Sequence, residues 1–150
     1  MHIIHILGKS KKYTALEQLS SLRANFKGDR WFVRPNGFTW WFTVTPTPLS
    51  DTYTLKFVYN QNFMPKVYVV NPRPLLLAKG AKRLPHTYDS NKQLLCLYRA
   101  HNREWTTSKL ISHTIVHWAV EWLYYYEDWA FSGDWRGGGH GSWDVKPEQD

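Results

Sequence analysis

"FTWWFTVTPTPLSDTYTLKFVYNQNFMPKVYVV", residues 38–70, repeats with a period of two and is broken twice by turn residues. Phe38, Trp40, Phe42 and Val44 alternate with Thr39, Trp41, Thr43 and Thr45 until Pro46-Thr47-Pro48. Tyr53, Leu55, Phe57 and Tyr59 then alternate with Thr54, Lys56 and Val58 before "NQNFMP", and Val67-Tyr68-Val69-Val70 precedes "NPRP". Successive side chains of a strand point to opposite faces, so this pattern predicts three strands with one face on a core. The loops between them are short enough for an antiparallel meander. "WFVRP" at residues 31–35 adds a candidate fourth strand.

On the N-terminal side, Leu16, Leu19, Leu22 and Phe26 recur at helical spacing, and Gly28 stands where a left-handed cap would end the helix. On the other side, periodicity fails after Pro74 for about twenty residues, an irregular region of the kind that carries chemistry on a scaffold. Beyond Trp105 a long helix is predicted, with Thr106, Thr107 or Ser108 as caps. Ile111, Ile115, Trp118, Trp122 and Tyr126 run along one side of it. Its other faces are aromatic too, which predicts burial on more than one side. Gly133 suits the stop, and the tail from about residue 133 is polar and glycine-rich. No internal repeat or second domain is visible, and 150 residues suit one domain, 1–150, with a real core.

The aromatic share of 17% points to a core dominated by Trp, Tyr and Phe. A net charge of +7 favours anionic partners, yet the basic residues are scattered from Lys9 to Arg103 without a block. A solvated surface is therefore the better reading than a nucleic-acid footprint. The sole cysteine cannot form an internal disulfide, so a reduced, cytoplasmic thiol is expected. Met1–Leu7 lacks the marks of a signal peptide, and no stretch approaches a membrane span.

That cysteine, Cys96, lies in "LLCLY", an apolar run whose neighbours alone favour inert packing. A working nucleophile needs exposure and a thiolate, for which His86, Lys92, Arg99 and His101 are the nearby helpers. With His86 it also outlines a thiol hydrolase dyad. His113, His117 and Glu121 at i, i+4 and i+8 would share one side of a helix and offer a metal two imidazoles and a carboxylate. "HTIVH" lacks the zincin glutamate, however, and packing beside Trp118 and Trp122 is the better reading, so neither metal nor cofactor is assigned. Gly137-Gly138-Gly139 has no Lys-Ser/Thr partner and reads as a turn, not a phosphate loop. There is no Gly-x-Ser-x-Gly elbow and no spaced acidic pair of a glycosidase.

Helix, meander, irregular segment with one cysteine, tryptophan, then helices: this order resembles the ubiquitin-conjugating enzyme fold, an α+β class. In that family a His-Pro-Asn histidine precedes the acceptor cysteine by ten residues, leucine follows the cysteine, and a tryptophan comes about eight residues later. Here His86 precedes Cys96 by ten, Leu97 follows and Trp105 comes nine later. "FMPKVYVVNP" at residues 63–72 is similar to the family's proline-valine strand, and the likeness covers about residues 14–130. The closer resemblance is to the bacterial branch found in short type II cyclic-oligonucleotide anti-phage systems (CBASS). It lies in "PHTYDSNKQLLCLY", "REW", "IVHWAVEWLYYYEDW" and "SGDWRGGGH".

The resemblance implies a transferase whose Cys96 accepts, as a thioester, the C-terminal acyl group of a partner protein. That partner is the cyclic-oligonucleotide synthase, a cGAS-like nucleotidyltransferase, and an activating enzyme or activated donor is required. It implies that His86 holds the active-site loop and that Trp105 packs behind it. The sulfur must then be open to water and to a foreign chain end. The alternative is a binding module that only docks the synthase. One departure stands out: His86-Thr87-Tyr88 replaces His-Pro-Asn, so the amide associated with oxyanion stabilisation during lysine attack is missing. Such a donor is worth ~2.7–4 kcal/mol where it is used. Tyr88 and Asn91 are the residues available to replace it, and Asp89 is placed to bias an incoming amine toward its neutral form.

Overall fold

The computed structural model describes residues 11–98 and 104–137. Arg99, His101 and Arg103, the Met1–Leu7 stretch and the glycine-rich tail past Gly137 lie outside the described residues.

A capping box starts the first helix, α1 (Ala15–Asn25). The Thr14 hydroxyl accepts the Glu17 N–H at 3.1 Å, and the Glu17 carboxylate accepts the Thr14 N–H at 2.9 Å. Its buried face is Ala15, Gln18, Leu19 and Leu22. Leu16, expected inside from its spacing, is 63% exposed, because Gln18 takes the inward position. This glutamine is buried without cost in lost hydrogen bonds: its Nε2 donates to the Lys109 carbonyl at 2.9 Å and its Oε1 accepts the Ile111 N–H at 2.8 Å. Gly28 is not the left-handed cap either. The helix ends on Phe26 in extended conformation, and Gly28 serves close packing, since a Cβ there would lie 2.4 Å from Trp40 Nε1.

The strands are β1 (Arg30–Arg34), β2 (Gly37–Val44), β3 (Tyr53–Asn60), β4 (Lys66–Asn71), β5 (Thr87–Asp89) and β6 (Leu94–Leu95). They form one antiparallel sheet in the order β1-β2-β3-β4-β6-β5. The expected meander of three to four strands is therefore extended by two short strands drawn from the irregular segment. Each is too short to carry a readable period. Phe38 and Trp40, the alternate residues Tyr53 to Tyr59, and Val67 and Val69 are buried on one face. Both helices cover that face: Phe26 meets Trp40 at 6.0 Å between ring centroids, and Tyr126 meets Tyr53 edge-on at 6.3 Å.

On the other face, the register lines up Arg30, Trp41, Lys56 and Tyr68 across four strands. The Arg30 guanidinium sits 3.9 Å over Trp41 and the Lys56 ammonium 5.1 Å over Tyr68. Part of the scattered basic charge is thus spent covering aromatic rings on the open side of the sheet.

The second helix begins later than expected. Thr106 to Ser108 close a local turn, with the Lys109 N–H donating to the Thr106 carbonyl at 3.0 Å, and Ile111–His113 form a 3₁₀ turn. Helix α2 then runs Ile115–Ser132, the one long helix of this half among the described residues, where helices in the plural were expected. Its buried residues Ile115, Val116, Ala119, Trp122, Leu123, Tyr126 and Trp129 form a single broad stripe, while Glu121, Tyr124 and Phe131 are exposed, so one side is buried and not several. Gly133 ends it as read from the sequence, at φ 85° with its N–H on the Trp129 carbonyl. Among the described residues no helix is long and apolar enough to cross a membrane.

Candidate functional site

The edge of the sheet formed by β5 and β6 brings His86, Tyr88 and Cys96 together. Thr87 pairs with Leu95 and Asp89 with Leu94, with a register shift between the two pairs. Immediately beyond β6, the Cys96 N–H donates to the His86 carbonyl at 3.0 Å. The same carbonyl accepts the Trp122 indole N–H at 3.0 Å, so helix α2 and the cysteine segment are pinned to one oxygen. His86 takes φ 50°, a left-handed conformation uncommon for a residue with a Cβ. Its ring is held from the far side by Trp135, stacked at 4.6 Å and 22°.

Trp135 arrives there because the chain doubles back after Gly133. The Arg136 guanidinium forms a fork on the Asp128 carboxylate at 2.9 and 3.0 Å, and Gly137 lies so close to Tyr125 that a Cβ would be 2.5 Å from the ring. The His86 carbonyl thus meets both the Cys96 backbone and helix α2, and its ring stacks on Trp135. No sequence signal pointed to Trp135 as its partner beyond membership of the "SGDWRGGGH" stretch.

The structure differs from the expectation of an open sulfur. Cys96 is 7% exposed, because Leu95, Leu97 and Tyr98 on either side of it are anchored in the core. The Tyr98 hydroxyl donates to the Pro65 carbonyl, fixing that segment against the loop before β4. Tyr88 closes the other side. It is 57% exposed as a residue, but its hydroxyl end turns inward, donating to the Tyr98 carbonyl at 2.8 Å. Burial of the hydroxyl, then the hydrogen bond and charge at Cys96, push the Tyr88 phenol well above its ordinary value. Tyr98 is raised in the same direction, by burial first and Cys96 second.

Of Tyr88, Asn91 and Asp89, Tyr88 is the one whose phenol is shifted by Cys96. The Asp89 carboxylate accepts the Lys92 N–H at 2.9 Å, which closes the turn, and Asn91 is exposed with its carbonyl facing Arg73. A residue passed over in the sequence anchors the whole segment. Gln93, buried and at φ 55°, accepts the Leu75 N–H at 2.7 Å and donates to the carbonyls of Val69 at 2.8 Å and Pro72 at 3.1 Å. Nothing in "SNKQLL" marked it, since glutamine is ordinarily a surface residue.

Trp105 is buried among Tyr59 and the turn before α2, its indole N–H on the Thr114 hydroxyl at 3.1 Å. That is a packing position. His113, His117 and Glu121 are not brought together: His113 belongs to the 3₁₀ turn, all three are exposed, and among the described residues no group of three or more His, Cys, Asp or Glu is placed to hold a metal. A second polar cluster lies elsewhere. The Glu127 carboxylate accepts from Ser50, Tyr53 and the Asp51 N–H, tying the β2–β3 turn to α2 and raising the Tyr53 phenol, by burial first and Glu127 second.

Residues 18–142 match the family model described as Type II CBASS E2 protein. No curated protein matches the chain.

Proposed function

The chain belongs to the type II CBASS E2 family, and on that premise we propose that Cys96 accepts the C-terminal acyl group of the cyclic-oligonucleotide synthase as a thioester. An E2-like role within CBASS follows from the family; the thioester, its donor and a ubiquitin-conjugating-like fold are what we infer beyond it. The six-stranded antiparallel sheet with its covering helices is consistent with that fold. The observation that carries the reading is the construction at His86. One carbonyl, of a residue in left-handed conformation, fixes the cysteine backbone and helix α2 together, so Cys96 sits in a braced segment just beyond β6 and not within a helix or strand interior.

In chemical terms, the Cys96 sulfur attacks the carbonyl carbon of an activated acyl donor, an acyl adenylate or another thioester. The C–S bond forms, the carbonyl electrons move to oxygen and return, and the leaving group departs with its bonding pair. The thiol proton passes to solvent. His86 acts through the backbone as a loop-positioning residue.

Co-expression with the synthase and the activating enzyme, followed by intact mass, tests this directly. The wild type should carry an adduct that reductant removes, Cys96→Ser an adduct that resists it, and Cys96→Ala none. A second reading is favoured by the low exposure of Cys96: the protein docks the synthase without acylation. Under it, Cys96→Ala would leave regulation of the synthase intact.

A further inference from the structure

The segment from Leu75 to Leu84 is pinned from the inside, while its outward side chains are apolar and basic. Leu75, Ala78 and Leu84 are buried. The Leu75 N–H donates to the Gln93 amide oxygen at 2.7 Å, the Ala81 N–H to the Ala78 carbonyl at 2.9 Å and the Leu84 N–H to the Ser90 hydroxyl at 2.9 Å. The Leu76 carbonyl accepts the Tyr126 hydroxyl at 2.6 Å. Between these anchors Leu76 is 79% exposed and Leu77 39% exposed. A backbone held at so many points has already lost its freedom, so the two leucines are presented to water on a fixed platform.

Helix α2 sets this platform beside the cysteine segment. The rings of Trp122 and Tyr126 stack parallel, with centroids 5.6 Å apart. The indole N–H donates to the His86 carbonyl at 3.0 Å, and the phenol O–H to the Leu76 carbonyl at 2.6 Å. Two neighbouring side chains thus hold both the carbonyl that takes the Cys96 N–H and the backbone that displays Leu76. Lys82 lies within ~14 Å of His86, the most that the chain between them can span. Charge on this side has one sign: residues 73–92 carry five exposed cations, Arg73, Lys79, Lys82, Arg83 and Lys92, and a single acid, Asp89. The Asp89 carboxylate is already engaged with the Lys92 N–H.

We propose that residues 75–83 are the docking surface for an acidic, leucine-bearing extended segment: the stretch of the acyl donor that precedes its reacting C-terminus. This deepens the reading of Cys96 as the acyl acceptor and rests on it for the identity of the partner. Aliphatic side chains of the segment cover Leu76 and Leu77, and its carboxylates meet Lys79 and Lys82. Apolar burial then supplies affinity, while charge supplies register and a faster encounter. An extended chain advances ~3.3 Å per residue, so the donor's last ~4–6 residues are those that pass the platform when its end is at Cys96. A nucleic acid matches the charge but not the rest, because single strands are held by bases stacked on aromatic rings and residues 73–85 contain none.

The test is the fluorescence anisotropy of a labelled peptide, Asp-Leu-Ser-Glu-Leu-Ser-Asp-Leu-Gly, titrated with the full chain. Saturable binding is expected, weakened about tenfold when Lys79→Glu and Lys82→Glu are combined and about fivefold by Leu76→Ser. Serine in place of the peptide's leucines should weaken it as well. Absence of saturable binding, or an affinity unchanged in either variant, overturns the proposal. Tighter binding of a single-stranded oligonucleotide or of phosphatidylserine vesicles also overturns it, and makes the surface a site for nucleic acid or lipid instead. The substituted side chains are exposed, so both variants should keep the cooperative thermal transition of the wild type. Should one lose it, acetylation of Lys79 and Lys82 in the wild type decides: bound peptide should slow it at both, and unchanged labelling overturns the proposal. Cys96→Ala should bind the peptide as the wild type does. No readout needs acyl transfer, so failure of the thioester reading and failure of this one are told apart.

Discussion

Replacing Gln93 by leucine removes one side-chain amide and leaves its partners in place. Leucine has nearly the same size and meets the same left-handed backbone at φ 55°, so the change isolates the hydrogen bonds. Two of the three are buried, those to the Leu75 N–H at 2.7 Å and the Val69 carbonyl at 2.8 Å. A buried partner left unsatisfied costs ~1–3 kcal/mol, which gives about 4 kcal/mol for the two. Greater apolar burial of leucine offsets about 1 kcal/mol, so the net loss is about 3 kcal/mol. Against a total stability of roughly 5–15 kcal/mol this is a large fraction. Urea unfolding followed by tryptophan fluorescence reads it as a midpoint lowered by about 2 M at an m-value of about 1.5 kcal/mol/M, with m unchanged. Because Gln93 sits just before β6, alkylation of Cys96 should also quicken. A loss below about 1 kcal/mol would refute the role given to this amide.

Two further outcomes follow from α1 and its junction with the sheet. Thr14 N–H first, then Lys11, hold the Glu17 carboxyl below its ordinary value of 4.5, so the stability it adds is fully present above that value and disappears as pH falls through the lower folded one. The stability difference between wild type and Glu17→Gln, taken from urea midpoints across the acid range, should be constant near neutrality and vanish at the acid end; a difference that grows toward acid pH would contradict it. Gly28→Ala places a Cβ 2.4 Å from Trp40 Nε1 and 3.1 Å from the Trp41 carbonyl, and should cost about 1–3 kcal/mol by overpacking, read as a lowered melting temperature. An unchanged or stabilised variant would show that the indole gives way freely.

The strands that alternate strictly were legible because one sheet face is buried: Tyr53 to Tyr59 read in–out without exception. Gly133 was legible because a left-handed helix end has few chemical solutions. What escaped has physical causes. β5 and β6 span three and two residues, below any readable period, and owe their pairing to Gln93 and the His86 carbonyl. The start of α2 slipped to Ile115 because Thr106 and Ser108 spend their hydroxyls on each other in a turn, not on helix N–H groups. Gln18 and Leu16 exchanged their expected places since hydrogen-bond partners 91 and 93 residues away decide whether a glutamine can be buried.

Spacing singled out Cys96 and His86 as candidates, and local apolarity foretold the burial of the cysteine better than its proposed role did. The contacts of Trp135 with His86 and of Tyr88 with the Tyr98 carbonyl are long-range or side-chain events that no spacing encodes.

The measurement that bears most directly on the proposed thioester is the intact mass of the protein purified after co-expression with the proposed partner synthase and an activating enzyme. A wild-type adduct equal to the synthase less one water, lost on reduction and absent from Cys96→Ala, is the predicted result. An adduct that persists in Cys96→Ala, or a bare wild type that still regulates the synthase as fully as Cys96→Ala does, would contradict it.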